Sequence, residues 1–286
     1  MMITEHIDVL ETAGRRLAGA AAAAGPDAEV PNCPGWRIRD VLRHTTMVHR
    51  WAASYVAEGH TTYHRGAVEP TLDGDALLAH CREGHEGLVA TLRAAPETLE
   101  CLMLFPAPSP LAFWTRRQAH ETTVHRADAE SALATGPGPV DPTVAADGID
   151  ELLRGFRGRD RSRVRTPGPR TMRVRTTDTG DVWTVRLSPT EPRAEREGRS
   201  VVGAGAAGGV AAEAVIATGS GSVAASAAGS DSGSGSGSGS ADVELSGPAD
   251  RLYLTLWNRL PTAAVTVTGD AELARLWRET SGITWS

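Results

Sequence analysis

The sequence contains no lysine: its 29 basic residues are all arginine, against 35 acidic residues, and the formal net charge is −6. A protein with this balance is not suited to general binding of nucleic acids or anionic membranes, because both need an excess of positive charge. The run 154–175 is rich in arginine, but Phe156 is its only aromatic residue. We therefore interpret this run as a solvated face and expect neither a nucleic-acid nor a membrane partner.

Cysteine is also scarce. Cys33, Cys81 and Cys101 form no CxxC pair, which excludes a zinc finger and is more typical of a reducing compartment than of a disulfide framework. No apolar run approaches the roughly 20 residues that a membrane-spanning helix needs. Arg15 and Arg16, followed by alanines, loosely imitate a twin-arginine export signal, but the acidic residues before them and the helical spacing of apolar residues favour an amphipathic first helix. We expect a cytoplasmic protein.

Histidine is absent from the whole second half of the chain: all nine histidines lie between His6 and His125. The segment before about residue 138 is predicted to form four amphipathic helices, which are separated by proline and glycine residues. They are predicted at about 3–24, 36–57, 75–94 and 110–133, the last of them capped by Ser109 with Pro110 in its first turn. Four helices of this length predict a bundle.

Strand signals appear only after residue 139. Alternating residues at 172–176 and 183–187, joined by turn residues at 178–180, predict a hairpin. A helix at 142–156 precedes them, and strands near 243–245 and 265–267 with helices at 250–260 and 270–277 follow. The sequence thus predicts an α+β protein of two domains, a helical bundle at 1–138 and a small α+β domain at 139–286.

The stretch 203–240 consists almost entirely of glycine, alanine and serine, and it is predicted to be a flexible insertion in the second domain. It includes a formal GxGxxG motif at 203–208. Because glycine-rich sequence produces this pattern by chance and no suitable acidic residue follows in a βαβ context, we do not expect nucleotide binding there.

The fourth predicted helix carries a stripe of charged residues, Arg117, Glu121, His125 and Asp128, on one face. Facing the core of a bundle, this stripe would bury charge that needs compensation, and a metal ion provides it. Glu121 and His125, one turn apart, supply a carboxylate oxygen and an imidazole nitrogen. The alternative is a solvated face in which these residues pair with neighbouring arginines.

A third ligand must come from another helix. The second helix offers His44 and His49, which lie 140° apart around the helix, so only one is expected to point inward. His44 shares its side with Trp51 and Tyr55, which favours it modestly over His49. We interpret His60, His64, His80 and His85 as surface or loop residues.

Two segments carry a family resemblance. Pro34 to His44 (PGWRIRDVLRH) and Arg117 to Asp128 (RQAHETTVHRAD) resemble the signature segments of the mycothiol-dependent maleylpyruvate isomerase family, and the segments 245–259 and 267–271 resemble the C-terminal module of that family. The resemblance implies a DinB-like four-helix bundle followed by a small α+β domain. It also implies His44, Glu121 and His125 as the metal ligands. Two departures are Arg37, where a capping serine or threonine is usual, and the insertion at 203–240.

The implied activity is a zinc-dependent isomerisation that uses mycothiol as thiol cosubstrate, with Fe(II) or Ni(II) as other possible metals. A thiolate would add to an unsaturated acid, and rotation and elimination would complete the isomerisation. Asp128 would support a ligand and Arg117 would meet a substrate carboxylate, or both would form structural ion pairs. Two alternatives are a mycothiol S-transferase acting on electrophiles and a metal-binding regulatory module without turnover.

Overall fold

Four long helices form the N-terminal part of the computed structural model, which describes residues 1–65, 68–159, 162–197 and 241–282. The helices follow the predicted positions to within two residues at every end. They span Ile3–Ala24 (α1), Ile38–Glu58 (α2), Gly74–Ala94 (α3) and Pro110–Ser131 (α4).

Two N-terminal caps explain where the site-bearing helices begin. The Ser109 hydroxyl accepts a hydrogen bond from the backbone N–H of Ala112 at 3.1 Å, so the predicted cap of α4 is confirmed. Arg37 caps α2 without a hydroxyl: its backbone N–H donates to the Asp40 carboxylate at 2.8 Å. The side chain that makes the capping contact is therefore that of Asp40, the third residue of the helix, and not that of the N-cap residue Arg37.

The C-terminal part contains a five-stranded sheet with short helices. Helix α5 (Pro142–Asp150) continues directly into a π-helical turn at Glu151–Phe156. The predicted hairpin is confirmed as an antiparallel pair, and the other elements lie close to their predicted places. The elements are β1 (Arg170–Thr176), β2 (Val182–Leu187), β3 (Arg193–Arg196), β4 (Val243–Gly247), α6 (Ala249–Leu256), a 3₁₀ turn at Thr262–Ala264, β5 (Thr266–Gly269) and α7 (Ala271–Thr280).

The strand order is β3-β2-β1-β4-β5, and only the central β1–β4 pair is parallel. Sequence analysis missed β3, because its residues, Arg-Ala-Glu-Arg, are not typical of strands. Charged residues are common on edge strands, where they prevent pairing with other chains. The α+β architecture predicted from the sequence is confirmed.

One apolar core joins the helices to the sheet. It includes Leu88 and Trp114 of the bundle and Ile149, Met172 and Leu252 of the C-terminal part, all of them fully buried. The described residues of the segments before 198 and after 240 accordingly form one compact unit. The boundary at 138/139 stays a prediction, and the glycine-rich insertion with its GxGxxG motif lies outside the described residues.

The arginine-rich run 154–175 is not uniformly solvated, so that prediction is wrong in part. Arg157 is 4% exposed, its guanidinium lies 5.7 Å from the centre of the Trp277 ring, and it donates to the carbonyl of Ser281. Burial lowers the pKa of Arg157 to about 10. Sequence periodicity did not reveal this contact, because the partner lies at the far end of the chain.

No helix among the described residues is both long enough and apolar enough to cross a bilayer.

Candidate metal centre

Helix α4 is buried around its whole circumference. Between Leu111 and Glu130 every residue is buried except Ala112 and Arg116, which are partly exposed. The helix is nevertheless polar on every side. A buried polar helix is stable only if each polar side chain finds a partner. The predicted inward stripe of Arg117, Glu121, His125 and Asp128 therefore lies in the interior, and so do residues on the opposite sides of the helix.

Two histidines converge on one carboxylate oxygen. His44 Nε2 of α2 lies 3.3 Å from Glu121 Oε1, and His125 Nε2 lies 3.2 Å from the same oxygen. All three residues are at most 5% exposed. The structure thus brings together the three residues that the sequence analysis predicted as ligands, and their donor atoms lie within 4.8 Å of one another.

These distances match the spacing of ligands around a metal ion. Two ligands that lie about 2.0–2.1 Å from zinc at a tetrahedral angle are about 3.3–3.4 Å apart. The observed separations of 3.2 and 3.3 Å are close to that value. Three protein ligands leave a fourth position for water or substrate, which is typical of catalytic zinc sites. Two imidazoles and a carboxylate also suit Fe(II) and Ni(II).

The second oxygen of Glu121 is held by a buried ion-pair chain. Arg117 Nη2 donates to Glu121 Oε2 at 3.1 Å, and Arg117 Nη1 donates to Glu151 in the π-helical turn. Burial alone would raise the pKa of Glu121, but hydrogen bonds from His125 and His44 and the charge of Arg117 hold it well below its usual value. Glu121 is therefore ionised at neutral pH, as a metal ligand must be.

His125 is oriented from its other side. Its Nδ1 lies 2.9 Å from Asp128 Oδ2, and Arg259, just after α6, forms a two-point ion pair with Asp128. Burial opposes the charge of His125, yet the hydrogen bonds to Asp128 and Glu121 raise its pKa to about 9. Although burial would raise the pKa of Asp128, the charge of Arg259 and the contact with His125 lower it to about 2. A carboxylate on the non-ligating nitrogen is the usual support of a metal-binding histidine.

Trp36 covers the two histidines. Its ring is nearly parallel to His125, at 6.2 Å and 6°, and tilted against His44 at 5.4 Å. Gly35 precedes it with φ of +90°, a conformation that favours glycine, and so allows the turn that brings Trp36 over the site. Cys33 lies nearby, but burial and the Asp128 charge raise the pKa of its thiol to about 12. Without a bound ion, the Cys33 thiol is therefore protonated at neutral pH.

Sequence analysis missed a second histidine cluster on a different face of α4. His6 Nε2, His120 Nε2 and Arg116 Nε lie 3.0, 2.8 and 2.9 Å from the same oxygen of Asp147. Two histidines and an aspartate could in principle hold a metal ion. The distances, however, are those of ordinary hydrogen bonds, and a guanidinium already occupies the shared oxygen. We interpret this cluster as a group of hydrogen bonds to the Asp147 carboxylate that joins α1, α4 and α5.

The expectation that only one of His44 and His49 points inward is wrong. His49 is 1% exposed, and its Nε2 lies 2.8 Å from the hydroxyl of Thr122 on α4. The interpretation of His85 as a surface residue is also wrong, since it is 6% exposed. The rings of His49 and His85 lie 5.5 Å apart, centre to centre. His60, His64 and His80 are at least partly exposed, as expected.

Arg259 and Glu151 were also missed as parts of the site. The segment that contains Arg259 carries part of the family resemblance, but nothing in its local pattern indicates a contact with Asp128, 131 residues away. Glu151 lies at the start of the π-helical turn, an element that has no clear sequence signature.

Two family models match the chain. The model described as the mycothiol maleylpyruvate isomerase (MDMPI) N-terminal domain matches residues 8–130. The model described as the MDMPI C-terminal domain matches residues 143–276. No protein of curated function matches the sequence significantly. Two solved structures resemble the fold, a mycothiol-dependent maleylpyruvate isomerase and a histidine-to-alanine mutant of one. Their identities are 11% and 10%, and in both cases the TM-score is 0.57 over 94% of this chain and 93% of the other.

Proposed function

Because the chain belongs to the mycothiol maleylpyruvate isomerase family, we propose that it is a metal-dependent enzyme that uses mycothiol to isomerise an unsaturated acid of the maleylpyruvate type. The observation that carries the proposal is the convergence of His44 Nε2 and His125 Nε2 on Glu121 Oε1 at metal-like distances.

His44, Glu121 and His125 would hold the ion, and zinc fits their donor set and spacing. When bound, such an ion lowers the pKa of a coordinated thiol, so that thiolate is available at neutral pH. A thiolate sulfur would bond to one carbon of the conjugated double bond, whose π electrons would move toward the adjacent carbonyl. Rotation about the resulting single bond and breaking of the carbon–sulfur bond would give the trans acid and return the thiolate.

The surrounding residues position the ligands. Asp128 accepts a hydrogen bond from Nδ1 of His125, which leaves Nε2 for the ion. The ion pair with Arg259 holds the Asp128 carboxylate in place. For Arg117, the contacts favour the structural role over the substrate-binding role: it is 2% exposed and already pairs with Glu121 and Glu151. We propose that Arg117 and Asp128 are positioning residues.

The test is an assay of maleylpyruvate isomerisation by the zinc-reconstituted protein, with and without mycothiol. We expect product only when both metal and thiol are present, and a loss of at least about a hundredfold in Glu121→Gln, because the carboxylate charge at the centre is lost. The matched control is His64→Ala, which removes an exposed loop histidine and should leave the rate unchanged.

Two other outcomes would replace the proposal. Accumulation of a stable mycothiol conjugate, without isomerised acid, would assign the protein as an S-transferase. Tight metal binding with neither product would assign a regulatory module without turnover. Reconstitution with Fe(II) and Ni(II) in parallel identifies the metal that supports the highest rate.

A further inference from the structure

Three partly exposed residues border the buried metal centre. The three candidate ligands and Asp128 are all at most 5% exposed, whereas Cys33, Trp36 and Arg259 beside them are partly exposed. Trp36 contacts the rings of both candidate histidine ligands. Because the ligands themselves are buried, a molecule that enters from solvent is expected to meet the partly exposed neighbours first.

The polar groups of the three bordering residues differ in what they already bind. Arg259 donates to both carboxylate oxygens of Asp128 and to the carbonyl of Trp257. The Cys33 thiol interacts with the same Asp128 carboxylate. The indole N–H of Trp36, in contrast, donates to none of the described residues. An indole N–H beside a buried site normally has an acceptor, and here a bound molecule can supply one.

Backbone contacts hold Trp36 at the centre. Its N–H donates to the carbonyl of Cys33, and its carbonyl accepts from the N–H of Val30, each at 2.9 Å. The next residue, Arg37, pairs with Glu29 in an isolated β-bridge. The position of the indole is therefore fixed before any ligand binds, and such preorganisation lowers the cost of binding.

The indole also offers a flat apolar surface. Its ring is nearly parallel to His125 at 6.2 Å and tilted against His44 at 5.4 Å. Aromatic rings favour offset stacking with other flat π systems. A planar, conjugated molecule at the centre can make this contact, whereas a saturated chain of the same length cannot.

The charge of the centre favours an anion. Among the buried acidic residues, Asp128 is paired with Arg259, and Glu151 is paired with Arg117. A bound dication would then be opposed by Glu121 alone, which leaves one net positive charge. A carboxylate is the matching ligand group, and its oxygens accept hydrogen bonds from N–H donors.

From these contacts we propose that Trp36 is a substrate-binding residue that selects flat, unsaturated carboxylates. Its ring packs against the conjugated carbons, and its Nε1–H donates a hydrogen bond to a carboxylate oxygen. The inference rests on the proposed function, because it assigns to Trp36 the recognition of the substrate of that reaction.

The test is a calorimetric titration of the zinc-loaded, full-length protein with maleate and with succinate, without thiol and at a pH where both are dianions. The two probes have the same carboxylates and differ in the double bond. We expect the wild type to bind maleate about fivefold more tightly than succinate, because only maleate is held flat against the indole.

Two variants separate the ring from the N–H group. Trp36→Phe keeps a ring but removes the donor, so it should weaken the binding of both probes about tenfold and retain the preference for maleate. Trp36→Leu should also abolish the preference. The matched control is Trp51→Phe on α2, another partly exposed tryptophan, whose indole donates to the carbonyl of His64 and which should bind both probes like the wild type.

Metal content and circular dichroism are measured on every variant. Wild-type binding in both Trp36 variants, or no binding of maleate to the wild type, would overturn the proposal. Loss of metal from Trp36→Phe would also overturn it, because the indole would then support the ligands rather than the substrate. Preference for maleate that depends on Trp36, without isomerisation in the presence of mycothiol, would reject the proposed reaction and retain the binding role. If the reaction occurs, Trp36→Phe should raise KM more than it lowers kcat.

Discussion

Arg259 and Asp128 form a two-point ion pair across 131 residues, with Nε–Oδ1 and Nη2–Oδ2 distances of 2.9 and 3.0 Å. Asp128 also contacts Nδ1 of His125, so a residue of the C-terminal part sets the orientation of a candidate metal ligand in the bundle. The C-terminal part thus contributes directly to the site.

The first prediction concerns this pair. Arg259→Gln removes the cation that holds Asp128, and loss of such support typically weakens metal binding or activity by about 10- to 100-fold. Arg259→Lys should recover only part of the loss, because lysine cannot form the two-point contact. Metal affinity is measured by competition with a chromogenic chelator, and Arg251→Gln serves as the exposed control. Wild-type affinity in Arg259→Gln would show that the pair is not needed for ligand positioning.

The second prediction separates the two histidine clusters. His6→Ala should leave the metal content unchanged, because we interpret the His6, His120 and Asp147 group as hydrogen-bonded rather than metal-binding. The same variant should lower the thermal unfolding midpoint, since it removes the contact of α1 with α5. Elemental analysis and calorimetry check the two effects on one sample. A second ion in the wild type that disappears in His6→Ala would disprove this interpretation.

The third prediction is a pH dependence of stability through Asp147. Burial would raise the pKa of this carboxyl, but hydrogen bonds from His120 and His6 and the charge of Arg116 hold it far below its usual value. Such a group stabilises the fold above its unfolded pKa of about 3.9, and this contribution is lost as the pH falls below that value toward the folded pKa.

Asp147→Asn should therefore lower the free energy of unfolding at pH 7 by about 3 kcal/mol. The difference from wild type should shrink below about pH 4. Urea unfolding at a series of pH values measures it. The control is Asp8→Asn on the exposed face of α1. A constant difference between Asp147→Asn and wild type from pH 7 to pH 3 would contradict the role of the ionised carboxylate.

The fourth prediction concerns proton release. Without metal, the raised pKa of His125, about 9, keeps this side chain protonated at pH 7. A metal ligand must be neutral, so zinc binding at pH 7 should release about one proton from His125. Calorimetric titration in buffers of different ionisation enthalpy measures the number of protons. His125→Ala should abolish that release, and a wild-type titration without any buffer dependence would count against His125 as a ligand.

The four helices, and the shared face of Glu121 and His125, followed from the sequence because they depend on local periodicity. The spacing of Glu121 and His125 alone places them on one face of α4, although that helix is polar on every side, and the assignment of these two residues and His44 as ligands stays a prediction. The choice between His44 and His49 was weaker. Periodicity assumes that a helix has one buried side, whereas the structure buries His49 as well.

The remaining parts of the site depend on contacts between distant segments. Asp147 and Arg259 reach α4 from the C-terminal part, and no local pattern predicts which of the many arginines pairs with Asp128. The burial of α4 on all sides has the same origin. Its polar sequence resembles that of a surface helix, and only its position between the other elements makes it internal.

The most direct test of the central claim is the metal content of the purified protein beside that of His44→Ala, Glu121→Ala and His125→Ala, with His64→Ala as control. The account predicts about one ion per chain in the wild type and in His64→Ala, and a content near zero in each ligand variant, with circular dichroism showing that the variants remain helical. A wild type without metal after zinc reconstitution, or ligand variants that keep a full ion, would contradict the claim.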